Sequence, residues 1–74
     1  MKIITLERTP NGAAAFSGQA ASTRGRRYIF FADHDGSAAV FRDQGAGFIQ
    51  IKPDSPPALM LAVRRAIESM AVQS

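Results

Sequence analysis

"TRGRRYIFFADHDGSAAVFRD", residues 23–43, decides the fold. Its middle, Arg26 to Asp33, is the strongest strand in the chain: Tyr28, Ile29, Phe30 and Phe31 follow one another, and aromatic and β-branched side chains fill a pleated surface well. Asp35-Gly36 then supplies the residue types of a two-residue type I′ turn, which predicts His34 opposite Ser37 and a return strand through Phe41. Directly opposed residues share a face of a sheet. Phe31 is therefore expected across from Val40, Phe30 from Phe41 and Ile29 from Arg42.

Downstream, "QGAG" at 44–47 turns the chain into "FIQIK" at 48–52. Pairing Arg42 with Phe48 collects Tyr28, Phe30, Ala32, Ala39, Phe41, Ile49 and Ile51 on one uncharged face, the expected core. The other face then carries Arg27, Ile29, Phe31, Val40, Arg42, Phe48, Gln50 and Lys52, and a slip of one residue in this turn would add Ile49 and Ile51 to it. Upstream, "MKIITLER" leads into "TPNG", a hairpin signal in residues 9–12. The expected return strand is "AAAFSGQA" at 13–20, poor in strand formers, with Gly18 marking a bulge or the close approach of another backbone.

The last element begins at "DSPPALMLAVRRAIESMAV". Ser55 can cap a helix, Pro56 suits a first helical turn, and Leu59, Val63, Ala66, Ile67 and Met70 recur at helical spacing, flanked by Met60 and Ala71. Arg64, Arg65, Glu68 and Ser69 fall on the far side, together with Leu61 and Val72. The expected architecture is α+β: residues 1–74 form one small domain, an antiparallel sheet of four to five strands (two hairpins plus a strand) with one C-terminal helix, Pro56 to Val72, on one face. One helix covers one face only, so the second must be closed by curling, by another subunit or by a ligand.

Seventy-four residues lie near the lower limit for a self-sufficient core, and the chain has no cysteine, so neither disulfides nor thiolate metal sites can reinforce it. The net charge of +3 is uneven: residues 1–32 carry a net +4 and residues 33–54 a net −2. Such asymmetry permits an anionic partner. The apolar start "MKIITL" is interrupted by Glu7 and Arg8 before a signal-length or membrane-spanning run can form, so a cytoplasmic protein with no membrane partner is expected. Seven arginines against two lysines, among many alanines, suit a GC-rich bacterial genome.

Asp33-His34-Asp35 offers imidazole and carboxylates, yet neighbouring strand residues point to opposite faces, and the position where a calcium loop needs its last acidic ligand is Gln44. The segment reads as a turn with polar tips, and no metal site, no cofactor and no catalytic residue is expected. A G-x-G at 45–47 that precedes a strand is a hairpin turn and no phosphate cradle.

The function expected first is a non-catalytic interaction module, a homodimer or small adaptor, whose surface is Ile29, Phe31, Val40 and Phe48 on the second sheet face, or Leu61 and Val72 on the helix. The alternative is nucleic-acid binding, with Arg24, Arg26, Arg27, Arg42 and Lys52 on phosphates and Phe31 and Phe48 stacking on bases. No motif matches a known family. In element order alone, strands followed by one C-terminal helix with a basic and aromatic sheet face are similar to the single-stranded-DNA-binding coactivators of the Whirly-like class, which are dimers, and to integrase-type DNA-binding domains.

Overall fold

Five strands lie side by side in the order in which the chain makes them, β1 (Lys2–Arg8), β2 (Phe16–Ala21), β3 (Arg27–Ala32), β4 (Ala38–Asp43) and β5 (Phe48–Gln50), every neighbour antiparallel, followed by one helix, α1 (Pro57–Gln73). The computed structural model describes residues 1–9 and 14–73, with side chains to residue 70. The α+β class and the meander of strands agree with the sequence. Residues 16–20 of the "AAAFSGQA" segment are a strand, whereas the "PNG" turn expected before it lies outside the described residues.

The central hairpin has a different turn from the one its Asp-Gly pair suggests. Asp33 N–H donates to Ser37 O and Gly36 N–H to Asp33 O, so the loop holds three residues, His34, Asp35 and Gly36. A type I′ turn would need positive φ at Asp35, which does not adopt it; only Gly36 does, at 90°. This is a turn closed by a left-handed glycine, the common three-residue hairpin loop. Asp35 Oδ1 accepts both the Ser37 N–H, at 2.9 Å, and the Ser37 hydroxyl, at 2.7 Å, capturing a donor that the two-residue loop would have spent on the backbone. Residues 22–26 repeat the design, with Gly25 at φ 84° and Ser22 in the place of Asp33.

One extra loop residue turns β4 over. Phe30 faces Val40, Phe31 faces Ala39 and Ile29 faces Phe41, so Ala38 and Val40 are buried and Phe41 lies on the opposite side. The expected pairs Phe31–Val40, Phe30–Phe41 and Ile29–Arg42 are each off by one. The β4–β5 turn differs by one residue as well, pairing Arg42 with Ile49 and Asp43 with Phe48. The two displacements cancel for β5. Ile49 and Ile51 therefore keep the side expected of them, while Val40 and Arg42 exchange faces with Ala39 and Phe41.

The buried cluster is Phe16, Ala20, Tyr28, Phe30, Ala32, Ala38, Val40, Leu59 and Val63, with Ile67 and Met70 of the helix packed against it. Gly18 sits in this layer where β1 bulges between Ile3 and Thr5. A Cβ there would lie 2.2 Å from Thr5 O and 2.7 Å from the Phe30 ring, so the glycine is the condition for Phe30 to lie across β2. The bulge is closed by Thr5 Oγ1, which accepts the Gln19 N–H at 3.1 Å.

The helix start departs from expectation by one residue. Ser55 Oγ donates to Lys52 O at 2.5 Å and does not serve as the cap; Pro56 O accepts from the N–H groups of Leu59 and Met60, and Pro57 is the first helical residue, where a missing N–H costs nothing. Ahead of it, Asp54 adopts φ 60° and brackets Ala38: its N–H donates to Ala38 O and its carboxylate accepts the Ala38 N–H at 2.8 Å. Because the Gly18 contact is with backbone, Gly18→Ala is expected to cost about 1–3 kcal/mol, measured by urea denaturation. An unchanged midpoint would mean that β1 and Phe30 are not held in this arrangement.

Candidate functional site

Helix α1 covers one side of the sheet, and the other side is open. Ladder partners cross it in three rows. The central row is Thr5, Gln19, Ile29, Phe41 and Gln50. Lys2, Ala21 and Arg27 lie to one side of it, with the Asp43–Phe48 pair next along, and Glu7, Ser17, Phe31 and Ala39 lie to the other. The face is thus unevenly divided: β1 and β2 present mostly polar groups, although Ile4 at the β1 bulge is 44% exposed, and β3 to β5 present Ile29, Phe31, Phe41 and Phe48.

These apolar side chains are organised. The Phe31 and Phe41 rings meet edge to face, centroids 5.9 Å apart at 88°, the arrangement their quadrupoles favour. Together with Ala39 they line a shallow recess rimmed by Ala14 and Pro53. Phe31 nevertheless remains 42% exposed and Phe48 46%. In a chain with so few large apolar residues, leaving two phenylalanines at this exposure on one side of the sheet forgoes burial that the core could have used.

Of the residues expected to form an interaction surface, Ile29, Phe31 and Phe48 are on this face and Val40 is not: it is fully buried beneath the helix. Leu61 is 49% exposed on the helix's outer side, away from the sheet, and the Val72 side chain lies outside the described residues. Phe41 was missed, because it follows β4 and β4 was expected the other way up. The signal that could have found it is Ser37, two residues beyond Asp35, where its N–H meets the carboxylate.

The basic residues divide too. Arg27 is on the open face, and Arg24 and Arg26 are exposed on the β2–β3 loop at the same end of the sheet. Arg42 is on the helix side, between Tyr28 and Ile49, and Lys52 is exposed beyond β5. Phe31 lies two ladder rows from Arg27. The seven residues of the expected nucleic-acid strip therefore do not form one surface.

Asp33, His34 and Asp35 belong to the β3–β4 turn. The His34 ring meets Phe16 edge to face at 5.2 Å, and the turn borders a small recess with Arg64, Ile67 and Glu68 of α1. Among the described residues no three His, Cys, Asp or Glu side chains are grouped so that they could hold a metal ion. The Ser37 hydroxyl, and after it the Ser37 N–H, hold the Asp35 carboxyl below the ordinary aspartate range. Among the described residues no helix is long and apolar enough to cross a membrane. Comparison with protein-family models, with curated proteins and with solved structures finds no match to this chain.

A depressed folded-state pKa contributes stability that is present above the unfolded value, about 3.9 for aspartate, and is lost as pH falls through the lower folded value. An NMR titration of the Asp35 carboxyl is expected to give a midpoint below that unfolded value, and Ser37→Ala to raise it. A midpoint that Ser37→Ala leaves in place would remove the hydrogen bonds as its cause.

Proposed function

We propose that this chain is a non-catalytic self-association module, and that a second copy docks on the open face of its sheet. The observation that carries the proposal is the Ile29, Phe31, Phe41 and Phe48 cluster on the side that α1 does not cover. Removing it from water on both copies is a favourable gain that the isolated chain forgoes.

The face complements itself. On β1, Lys2 stands toward one end of the strand and Glu7 toward the other, with Thr5 between them. A twofold axis running across the strands stacks β1 on its copy in the reverse direction, bringing Lys2 of one toward Glu7 of the other, twice. The same axis brings Arg27 of one copy over Phe31 of the other, a cation on a ring face, and sets the central Ile29 and Phe41 against their own counterparts. Two sheets packed face to face with nearly aligned strands are a common layer arrangement, and here each carries its helix on the outside.

The size of the contact bounds its strength. Five strands about 4.8 Å apart and about 20 Å long present about 500 Å² of face. A stable interface of standard size takes about 800 Å² from each partner, so the pairing is at the weak end. Sedimentation equilibrium at micromolar to submillimolar concentration is expected to show a dimer whose affinity changes little between low and high salt, since only its rim is charged. Phe31→Asp is expected to weaken it at least tenfold. Lys2→Glu should weaken it by a few fold at most, as an exposed ion pair would, and the further change Glu7→Lys should restore it. A monomer at every concentration would sink the proposal.

A second reading is favoured by one observation, the gathering of Arg24, Arg26 and Arg27 at one end of the sheet, on the end where Lys2 also lies. Such an end suits the phosphates of a nucleic acid. Binding of a short single-stranded oligonucleotide that falls steeply with salt and drops with Arg27→Ala would support it. Binding that is absent at low salt would exclude it.

A further inference from the structure

The loop between β2 and β3 spends only part of its hydrogen-bonding capacity on itself. Ser22 N–H donates to Arg26 O, Gly25 N–H to Ser22 O, and Arg26 N–H to Ser22 Oγ at 3.1 Å. The N–H groups of Thr23 and Arg24 and the hydroxyl protons of Ser22 and Thr23 meet no acceptor among the described residues. With Arg24, Gly25 and Arg26 these residues line an open recess of about 440 Å³, and its remaining wall is Tyr28. Tyr28 stands on the helix side of β3, opposite Ala20 and Arg42, and is only 7% exposed. Its hydroxyl nevertheless has no hydrogen-bond partner among the described residues, and it is not sealed inside the core either. A tyrosine this deeply buried normally finds a partner for its hydroxyl. Here the partner must come from outside the chain, through the recess.

We propose that this recess is a phosphate site whose ligand is a small phosphomonoester. Every polar side chain that lines it can donate, through the guanidinium groups of Arg24 and Arg26 and the hydroxyls of Ser22, Thr23 and Tyr28, and none of the lining residues is acidic. Guanidinium forks match the spacing of phosphate oxygens, and a phosphoryl group has three such oxygens, enough to engage both arginines and the hydroxyls together. Asp43, the acid at the same end of the sheet, stands on the open face, and its carboxylate accepts the Gly45 N–H at 2.7 Å. It is not among the walls. The open side of the recess leaves a way out for the group to which the phosphate is esterified. Tyr28 faces the helix side and the loop projects beyond the strands, so the site is separate from the face on which a second copy docks and does not rest on that docking.

The test is an amide NMR titration of the full-length protein with inorganic phosphate and with glycerol phosphate, sodium chloride being adjusted to hold the ionic strength constant. Saturable shifts are expected in the amides of residues 22–28, with glycerol phosphate bound at least as tightly as inorganic phosphate. Tyr28→Phe keeps the ring and the net charge, and should weaken binding about tenfold, as the loss of one hydrogen bond to a charged group does. The double change Arg24→Gln and Arg26→Gln, on exposed positions, should reduce the shifts to those that sodium chloride gives. Phe31→Asp should leave the affinity unchanged. Shifts in the wild type no larger than those from sodium chloride, or saturation that either the tyrosine or the arginine variant leaves untouched, would overturn the site. Loss of binding in Phe31→Asp would put the anion between docked copies and overturn it too. A short single-stranded oligonucleotide that binds equally with and without a 5′-phosphate, while glycerol phosphate does not bind, would overturn it in favour of a strip that reads a nucleic-acid backbone.

Discussion

One helix against five strands is the constraint from which the rest of this structure follows. Leu59 and Val63 are fully buried, and with them α1 closes one side over Phe30 and Val40; among the described residues no second helix or sheet lies on the other side. A sheet can leave one face to water if that face is polar. Here the half formed by β1 and β2 comes close to that condition, with Thr5, Glu7, Ser17 and Gln19 beside the exposed Ile4, and the half formed by β3 to β5 does not. It is this division on which the proposed docking of a second copy rests.

Gly18 and the Asp35–Ser37 pair are the small devices that make this division sharp. Gly18 lets Phe30 lie across β2, so that a large ring fills the middle of a core that also holds three alanines, Ala20, Ala32 and Ala38. The Asp35 carboxylate, by holding the Ser37 N–H, sets the length of the central loop and with it the side on which every residue of β4 stands. Val40 goes inward against Phe30, and Phe41 goes outward to meet Phe31. Local polar chemistry at a turn tip thus determines the composition of a surface some four residues away.

That dependence explains what could be read from the sequence and what could not. Element order, fold class, the strand through Tyr28 to Phe31 and the helix stripe through Leu59 and Val63 rest on runs of apolar residues and were legible. The role of Gly18 was legible too, since a glycine in a strand asks for a close neighbour. Register was not. Asp-Gly serves both a two-residue and a three-residue loop, and the choice rests on a side-chain hydrogen bond that periodicity does not encode. Ile29, Phe31 and Phe48 were found on the open face because they belong to β3 and β5, the strands whose orientation was right; Val40 was misassigned and Phe41 missed because they belong to β4. Arg42 left the expected basic strip for the same reason.

The central claim is that the open face of β3 and β4 contacts another copy of the chain. The most direct measurement is an isotope-filtered NOE experiment on a mixture of labelled and unlabelled protein, which reports only contacts between copies. The account predicts cross-peaks from the Ile29 methyl groups and the Phe41 ring to their counterparts in the other copy. Cross-peaks confined to Leu61 and the outer side of α1, or none in a sample that sedimentation shows to be associated, would contradict it.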